Sequence, residues 1–282
     1  IDRSYRTESS RLGFYESQAN AVYEVEDWFG EMQGVTYQKH ITNLYNAVNE
    51  LTKNPTSTIA RSSLIQNAAA FIDRSEAIYS GLKDYQVTLN TEVNNMVEKI
   101  NSLGQRIYNL NKGIVKVEAA GVERANDLRD SRDLALDELS KYIDIDYYET
   151  KDGEVIVSAE NVPFITKNDI AKMSVREEGT YGLLIPQWEG YQQDVYNFDK
   201  QANNANDTDK GKLKGLLIAR GVIEVNYTDI PVMPERADYD LTTEQGMAEY
   251  NSAMDAYQQK QDYYNKYIEP SAILSAIAGF DK

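Results

Sequence analysis

From residue 71 to residue 117 the apolar positions step by four and three without a break. The run reads Phe71, Ser75, Ile78, Leu82, Tyr85, Leu89, Val93, Met96, Ile100, Leu103, Ile107, Leu110, Ile114 and Val117, with Ser75 its single polar member. An α-helix turns every 3.6 residues, so this period lays one narrow apolar seam along a continuous helix that faces a partner. No proline interrupts the stretch, while Gly81, Gly104 and Gly113 fall off the seam. Each of those glycines costs about 1 kcal/mol relative to alanine in a helix interior. At 1.5 Å per residue the seam spans roughly 70 Å, a length that suits a rod better than a compact enzyme.

Other segments supply partners for that helix. A helix over about Ser4 to Glu31 carries Leu12, Tyr15, Ala19, Val22 and Phe29 on one side, with Gly30 and Gly34 at the turn that follows. A second carries Ile41, Leu44, Val48 and Leu51 and stops at Asn54-Pro55, because the residue before proline is pushed out of helical geometry. Thr56 or Ser57 can then cap the long helix, and Gly121 can end it. Asn126 or Asp127 opens a further helix with Leu128, Leu136 and Leu139 on its apolar side.

Near Tyr142 the period changes to two. Ile143, Ile145 and Tyr147 alternate with Asp144, Asp146 and Tyr148, which predicts a strand. Lys151-Asp152-Gly153 has the signature of a hairpin turn, with a return strand over Glu154 to Ser158. Shorter extended pieces are predicted at Val162–Thr166 and Tyr181–Trp188, and a polar stretch from Ala202 to Asp209 leads out of the region. Helical patterning resumes at Lys212–Arg220. Thr242 and Gln245 offer a capping box to a stripe of Met247, Tyr250, Met254, Tyr257, Gln261, Tyr264 and Ile268. Pro270 breaks that helix, and Ser271 can cap a last one holding Ile273, Leu274, Ile277 and Phe280. The expected fold is mainly α: an elongated antiparallel helical bundle with a small β-rich subdomain inserted before the returning C-terminal helices. The expected division is a bundle over 1–142, a β-rich subdomain over 143–209, and returning helices over 210–282 with a lineage-specific insertion near 222–260.

Composition narrows the function. The 282 residues hold 29 Lys and Arg against 45 Asp and Glu, a formal net charge of -16. Such a surface repels phosphate backbones and anionic lipid, so neither nucleic acid nor a membrane is an expected partner. No apolar stretch approaches the roughly 20 residues that span a bilayer. No basic-plus-apolar leader precedes Ile1, and both ends of a longer protein are expected to be missing. With 0 cysteines, disulfides and thiolate chemistry are excluded, and 1 histidine cannot build a multi-histidine zinc site. A serine-histidine-aspartate triad would have to use His40, around which no nucleophile signature lies; it is expected as an exposed helical residue. The 21 tyrosines against 6 phenylalanines suit thin helical layers and protein–protein contacts.

The densest charge cluster comprises Glu123, Arg124, Asp127, Arg129, Asp130, Arg132, Asp133, Asp137 and Glu138. Calcium would need alternating oxygen ligands around a glycine turn, and that register is absent. Interleaved arginines would also repel a cation. The cluster is expected to be an exposed helix stabilised by its dipole and by charges three or four apart. No phosphate loop or dinucleotide fingerprint occurs, and Gly179 and Gly182 around Tyr181 are expected in a turn. No catalytic, cofactor-binding or metal-binding residue is expected.

The run Asn126, Asp127, Leu128, Asp130, Arg132, Asp133, then Asp137, Glu138, Leu139, Ser140, resembles a segment of the flagellar hook-associated protein 1 family. That family's pattern reads Asn-Asp-Leu-Leu-Asp-Gln-Arg-Asp, with Glu-Leu-Ser a few residues on; Arg129 and Ser131 depart from it. Ile1, Arg3 and Tyr5 are similar to the family's entry into its helical region. So are Leu51 to Pro55 with Ala60-Arg61, Ile100 to Leu103, Ile107 to Asn111, and the Gly-x-Leu-x-Gly-Leu-Leu run from Gly211 to Leu217. The resemblance implies a non-enzymatic, cofactor-free structural subunit outside the cell. It would be exported by the flagellar type III apparatus without a cleaved signal peptide, with the help of a chaperone. It would assemble with copies of itself in a ring and contact the hook protein and the second junction protein. The piece in hand is expected to be monomeric. The second junction protein or a flagellin-like protein, a coiled-coil adhesin or scaffold binding through 143–240, and an enzyme using Asp130 or Asp133 stay open on the residues alone.

Overall fold

The seam from the seventies to the hundred-teens lies on one unbroken helix, α3 (Thr58–Glu118). In the computed structural model, which describes residues 2–30, 36–119, 124–199 and 202–280, that helix is 61 residues long, about 90 Å along its axis. Ile78, Leu82, Leu89, Val93, Met96, Ile100, Leu103, Ile107 and Ile114 of the seam are buried. Phe71, Ser75, Tyr85 and Leu110 are half-buried, and Val117 is exposed. Ahead of it come α1 (Asp2–Gly30) and α2 (Tyr37–Lys53); after it comes α4 (Asn126–Tyr142). Strands follow as β1 (Ile145–Glu149), β2 (Val155–Ala159), β3 (Val162–Ile165), β4 (Met173–Glu178), β5 (Leu183–Trp188) and β6 (Gln193–Asp194). Helices return as α5 (Lys212–Arg220), α6 (Glu244–Tyr263, continued by a π-helical turn over Tyr264–Ile268) and α7 (Ala272–Phe280). The chain is mainly α, with two three-stranded antiparallel sheets ordered β1-β2-β3 and β4-β5-β6.

The helix starts fall where expected at α3, α4 and α7 and one residue later at α6. Ser57 caps α3 as predicted, accepting from the Ala60 N–H at 3.2 Å. Asn126 opens α4 as expected; the residue before it, Ala125, makes no side-chain cap, and its N–H donates to Glu118 Oε1 at 3.0 Å. Thr243, not Thr242, caps α6 by accepting from the Gly246 N–H at 3.0 Å, since the Thr242 hydroxyl is engaged by Asp240. Ser271 caps α7 through the Leu274 N–H at 3.1 Å. Glu31, Gly34, Gly121 and Glu123 lie outside the described residues.

The chain divides into two compact units, and the division does not follow chain order. The first comprises residues 1–20 and 88–224 and holds both sheets. Its first hairpin turns at Gly153, whose φ of +85° fits the left-handed region; the Gly153 N–H donates to Thr150 O at 3.0 Å. A second, two-residue turn at Glu160-Asn161 has φ of +46° and +64°, the type that matches strand twist. Strand β4 was not expected: its Arg176, Glu177 and Glu178 hide the alternation of a sheet member. The expected stripe of α1 also faces the other way. Leu12, Tyr15 and Val22 are 68%, 49% and 41% exposed, whereas Ser10, Gly13, Phe14 and Ser17 are buried.

The second unit comprises residues 21–87 and 225–282. Phe29, Tyr37, Phe71 and Phe280 form an aromatic cluster in it, with Tyr37 stacked on Phe71 at 5.6 Å and Phe29 at 5.2 Å from Phe280. Ile273, Leu274 and Ile277 of α7 are buried as predicted.

The glycines off the seam are not mere tolerated defects. A Cβ on Gly104 would lie 2.5 Å from Phe164 Cζ, while one on Gly113 would meet only Leu128 Cδ1 at 3.2 Å, the far end of a flexible side chain. Gly104→Ala should therefore destabilise the fold by about 1–2 kcal/mol despite the better helix former. Gly113→Ala should stabilise it by about 0.5–1 kcal/mol. Urea unfolding midpoints of the two variants check the opposite signs.

Candidate functional site

Three asparagines of α3 fasten extended backbone to the long helix in the first unit. Asn111 donates from Nδ2 to Val155 O at 2.7 Å and accepts at Oδ1 from the Val155 N–H at 3.0 Å. Asn101 makes the same pair with Met173, at 2.8 and 2.9 Å. Asn90 donates to Gly182 O at 2.9 Å and accepts from the Leu184 N–H at 2.8 Å. Positions 90, 101 and 111 lie ten or eleven residues apart, close to three helical turns, so they recur on nearly the same face. A side-chain amide carries one donor end and one acceptor end, the same pattern that a neighbouring strand would offer. Each asparagine thus closes a strand edge that would otherwise expose unpaired N–H and C=O groups.

Two buried arginines lock these latches. Arg132 of α4 is 2% exposed and donates from Nη1 to Gly153 O at 2.6 Å and to Asn111 Oδ1 at 3.2 Å. Its Nη2 lies 3.5 Å from Glu149. Burial pushes its guanidinium below the ordinary arginine range, opposed by the Glu149 carboxylate. Arg220 of α5 donates to Asn90 Oδ1 at 2.6 Å and to Leu184 O at 2.9 Å, and burial lowers it to about 10.

The charge cluster of α4 is consequently not a simple solvated face. Arg129 reaches away from its own helix to Glu118, at 2.7 and 2.9 Å, and to Glu149. The hydrogen bond from Arg129 pulls the Glu118 carboxyl down to about 2. Asp137 accepts from Arg6 Nε at 2.7 Å, and Glu138 pairs with Lys99 at 2.7 Å. Asn126, Asp127, Asp130 and Asp133 are exposed, Leu128 is half-buried, and Leu139 is fully buried. Arg132, Glu138 and Leu139 therefore join α4 to its surroundings, while Asn126, Asp127 and Asp130 are not drawn into one site. Among the described residues no group of three His, Cys, Asp or Glu side chains is placed to hold a metal ion. His40 lies half-buried on α2.

A second polar cluster gathers around the Glu160 turn. Glu160 lies 4.0 Å from Lys214, and buried Tyr196 stands nearby with a hydroxyl that has no hydrogen-bond partner among the described residues. Burial raises the Glu160 carboxyl to about 7, opposed by Lys214 and reinforced by Asp144. The folded state therefore holds a proton that the unfolded chain has lost between pH 4.5 and 7. The stability linked to Glu160 is fully present below pH 4.5, falls as pH rises, and is lost above about 7. Glu160→Gln should thus be more stable than the parent by about 2 kcal/mol at pH 8, with the gap closing at pH 5. Thermal melts at the two pH values check this.

Beyond these clusters, helices of both units present large apolar side chains to solvent. They include Tyr5 and Leu12 on α1, Ile41 and Tyr45 on α2, and Ile59 and Ile65 on α3. Among the described residues no helix is long and apolar enough to cross a membrane. The geometry is that of a scaffold: strands fixed to a long helix by side-chain amides, with apolar helix faces left open.

Comparison with known proteins agrees with that reading. Residues 22–252 match the family model described as the flagellar hook-associated protein FlgK helical domain. The chain is 27% identical over 244 residues to flagellar hook-associated protein 1 of Bacillus subtilis, covering 83% of this chain and 48% of that protein. It is 26% identical over 107 residues to flagellar hook-associated protein 1 of Salmonella typhimurium, covering 38% of this chain and 19% of that one. The chain thus spans about half the length of the first relative and less of the second. The solved structure of the flagellar hook junction protein FlgK from Burkholderia pseudomallei shares the fold at a TM-score of 0.60 and 19% identity, over 77% of this chain and 38% of that one.

Proposed function

Since the chain belongs to the FlgK helical-domain family of flagellar hook-associated proteins, we propose that it is a structural part of a junction subunit that joins hook to filament in the bacterial flagellum. The work it does is passive. The match over residues 22–252 carries this reading, and the unbroken α3 with amide-latched strands supports it. Load entering the strands passes through the asparagine hydrogen bonds to a helix that runs unbroken from Thr58 to Glu118. Such a part needs no nucleophile, metal or cofactor. The run Asn126, Asp127, Leu128, Asp130, Arg132, Asp133, Glu138 and Leu139 serves structure: Leu139 anchors α4 and Arg132 ties it to the first hairpin.

The further expectations follow from the family. The subunit is exported without a cleaved signal peptide, is escorted by a chaperone, and packs with copies of itself beside the hook protein and the second junction protein. Deleting its gene from a motile cell tests the reading. The expected result is cells that keep hooks but lose filaments and swimming, with recovery on re-expression. Deletion cells that still carry filaments would overturn it.

A further inference from the structure

A polar pocket of about 400 Å³ opens in the first unit beside the turn at Glu160-Asn161. That volume lies within the roughly 300–1,000 Å³ of small-molecule sites. Helix α1, the end of α4, strands β1 and β2 and the segment ahead of α5 form its wall.

The wall carries three cations and two carboxylates, Arg3, Arg6 and Lys210 against Asp144 and Asp146. Every one of these cations already has a carboxylate. Arg6 lies 2.7 Å from Asp137, Lys210 lies 2.7 Å from Asp207 and 3.4 Å from Asp144, and Arg3 lies 3.8 Å from Asp146. An anion would have to compete with those resident carboxylates, and a cation would meet three like charges. An apolar ligand would strip water from the charged groups and return no hydrogen bond. A neutral ligand that both donates and accepts incurs none of these penalties.

The ion pairs facing the pocket also leave hydrogen-bonding capacity unused. Charge-assisted N–H···O bonds run about 2.7–2.9 Å, so the 3.8 Å between Arg3 and Asp146 and the 3.4 Å between Lys210 and Asp144 are loose. Two neighbouring hydroxyls of a sugar can bridge such a pair, one accepting from the cation while the other donates to the carboxylate. Thr7 and Ser140 donate their own protons to Arg3 O at 3.0 Å and to Asp137 O at 2.9 Å, so both retain acceptor capacity. The hydroxyl of Ser10, a residue 1% exposed, has no hydrogen-bond partner among the described residues. Ser158 and Asn161 add a further hydroxyl and an amide to the wall. The guanidiniums of Arg6 and Arg3 rest on the Tyr147 ring, 4.6 and 5.5 Å from its centre, which positions these donors before a ligand arrives. We propose that this pocket binds a neutral polyhydroxyl ligand, a mono- or disaccharide. The site adds a binding activity to the junction role and does not depend on it.

Saturation-transfer NMR on the full chain tests the site, with D-glucose, D-galactose, N-acetylglucosamine and maltose as probes. At least one of these sugars should give a signal that saturates with its concentration. Arg3→Ala and Asp146→Ala should each weaken that binding about tenfold, roughly the loss of one charge-assisted hydrogen bond. Their side chains are 68% and 83% exposed, so both variants should keep the circular dichroism of the parent. Asp255→Ala, at an exposed position on α6, should leave binding unchanged. Inorganic phosphate should displace the sugar no better than chloride does at equal ionic strength. The proposal is overturned if none of the four sugars gives a saturating signal. It is equally overturned if the signal survives both pocket variants unchanged, or falls as much in Asp255→Ala, because the sugar would then sit elsewhere. Phosphate that displaces the sugar, or binds where sugars do not, would show that the pocket selects charge and would overturn it as well.

Discussion

Asn111→Leu is expected to lower the unfolding free energy by about 3–5 kcal/mol, a loss out of proportion to a near-isosteric change. The leucine would fit the space but would leave the Val155 N–H and C=O without partners, and Arg132 would lose one acceptor. Asn111, Val155 and Arg132 are 2%, 3% and 2% exposed, so water cannot replace the missing bonds cheaply. Asn101→Leu, which removes the equivalent pair from Met173 at a half-buried position, should cost less, about 1–2 kcal/mol. Chemical denaturation of both variants against the parent decides the matter. Equal, small losses would mean that the amide pairs contribute little.

Gly215→Ala should cost a similar amount, about 3–4 kcal/mol, for a steric reason. A Cβ at that position would sit 2.9 Å from the Phe14 Cα and carbonyl carbon, and closer still to the carbonyl oxygen. These are backbone atoms and cannot rotate aside, so α5 would have to move off α1. That movement would strain the Ser17 hydroxyl bond to Lys212 O at 3.2 Å and the Gly211 N–H bond to Ser10 O at 3.1 Å. Gly279→Ala on α7, where an added Cβ meets nothing within 4 Å, is the matched control and should be neutral or slightly stabilising. A Gly215→Ala chain as stable as the parent would show that α1 and α5 do not approach as closely as described.

These two positions also show which parts of the fold could be read from the chain. The α3 seam was legible because many apolar residues repeat one period, and no other element explains a four-three step from Phe71 to Val117. The latches were not. Asn90, Asn101 and Asn111 sit off the seam, where a mid-helix asparagine looks like a solvated residue; only the strands arriving beside them give the amides a task. Asn101 and Asn111 did fall in family-like runs, but those runs named no partner. The α1 stripe failed for a different reason. Leu12, Tyr15 and Val22 face water, while the inward side mixes Phe14 and Ala21 with Ser10, Gly13 and Ser17. The small residues admit the close crossing at Gly215, and a stripe read from the large apolar residues alone misses a face built partly from serine and glycine. Arg132 reads as part of a solvated cluster because opposite charges three and four residues apart surround it in the sequence; its partners, Asn111 and Gly153, are each 21 residues away in sequence.

Side-chain amides of one continuous helix hold the strands in place, and amide hydrogen exchange reads those bonds residue by residue. The N–H groups of Val155, Met173 and Leu184 donate to Asn111, Asn101 and Asn90. They should exchange as slowly as the α3 core around Ile100 and Ile107, and Asn111→Leu should release Val155 first. Exchange of all three at the rate of exposed loop amides, while α3 stays protected, would contradict the account.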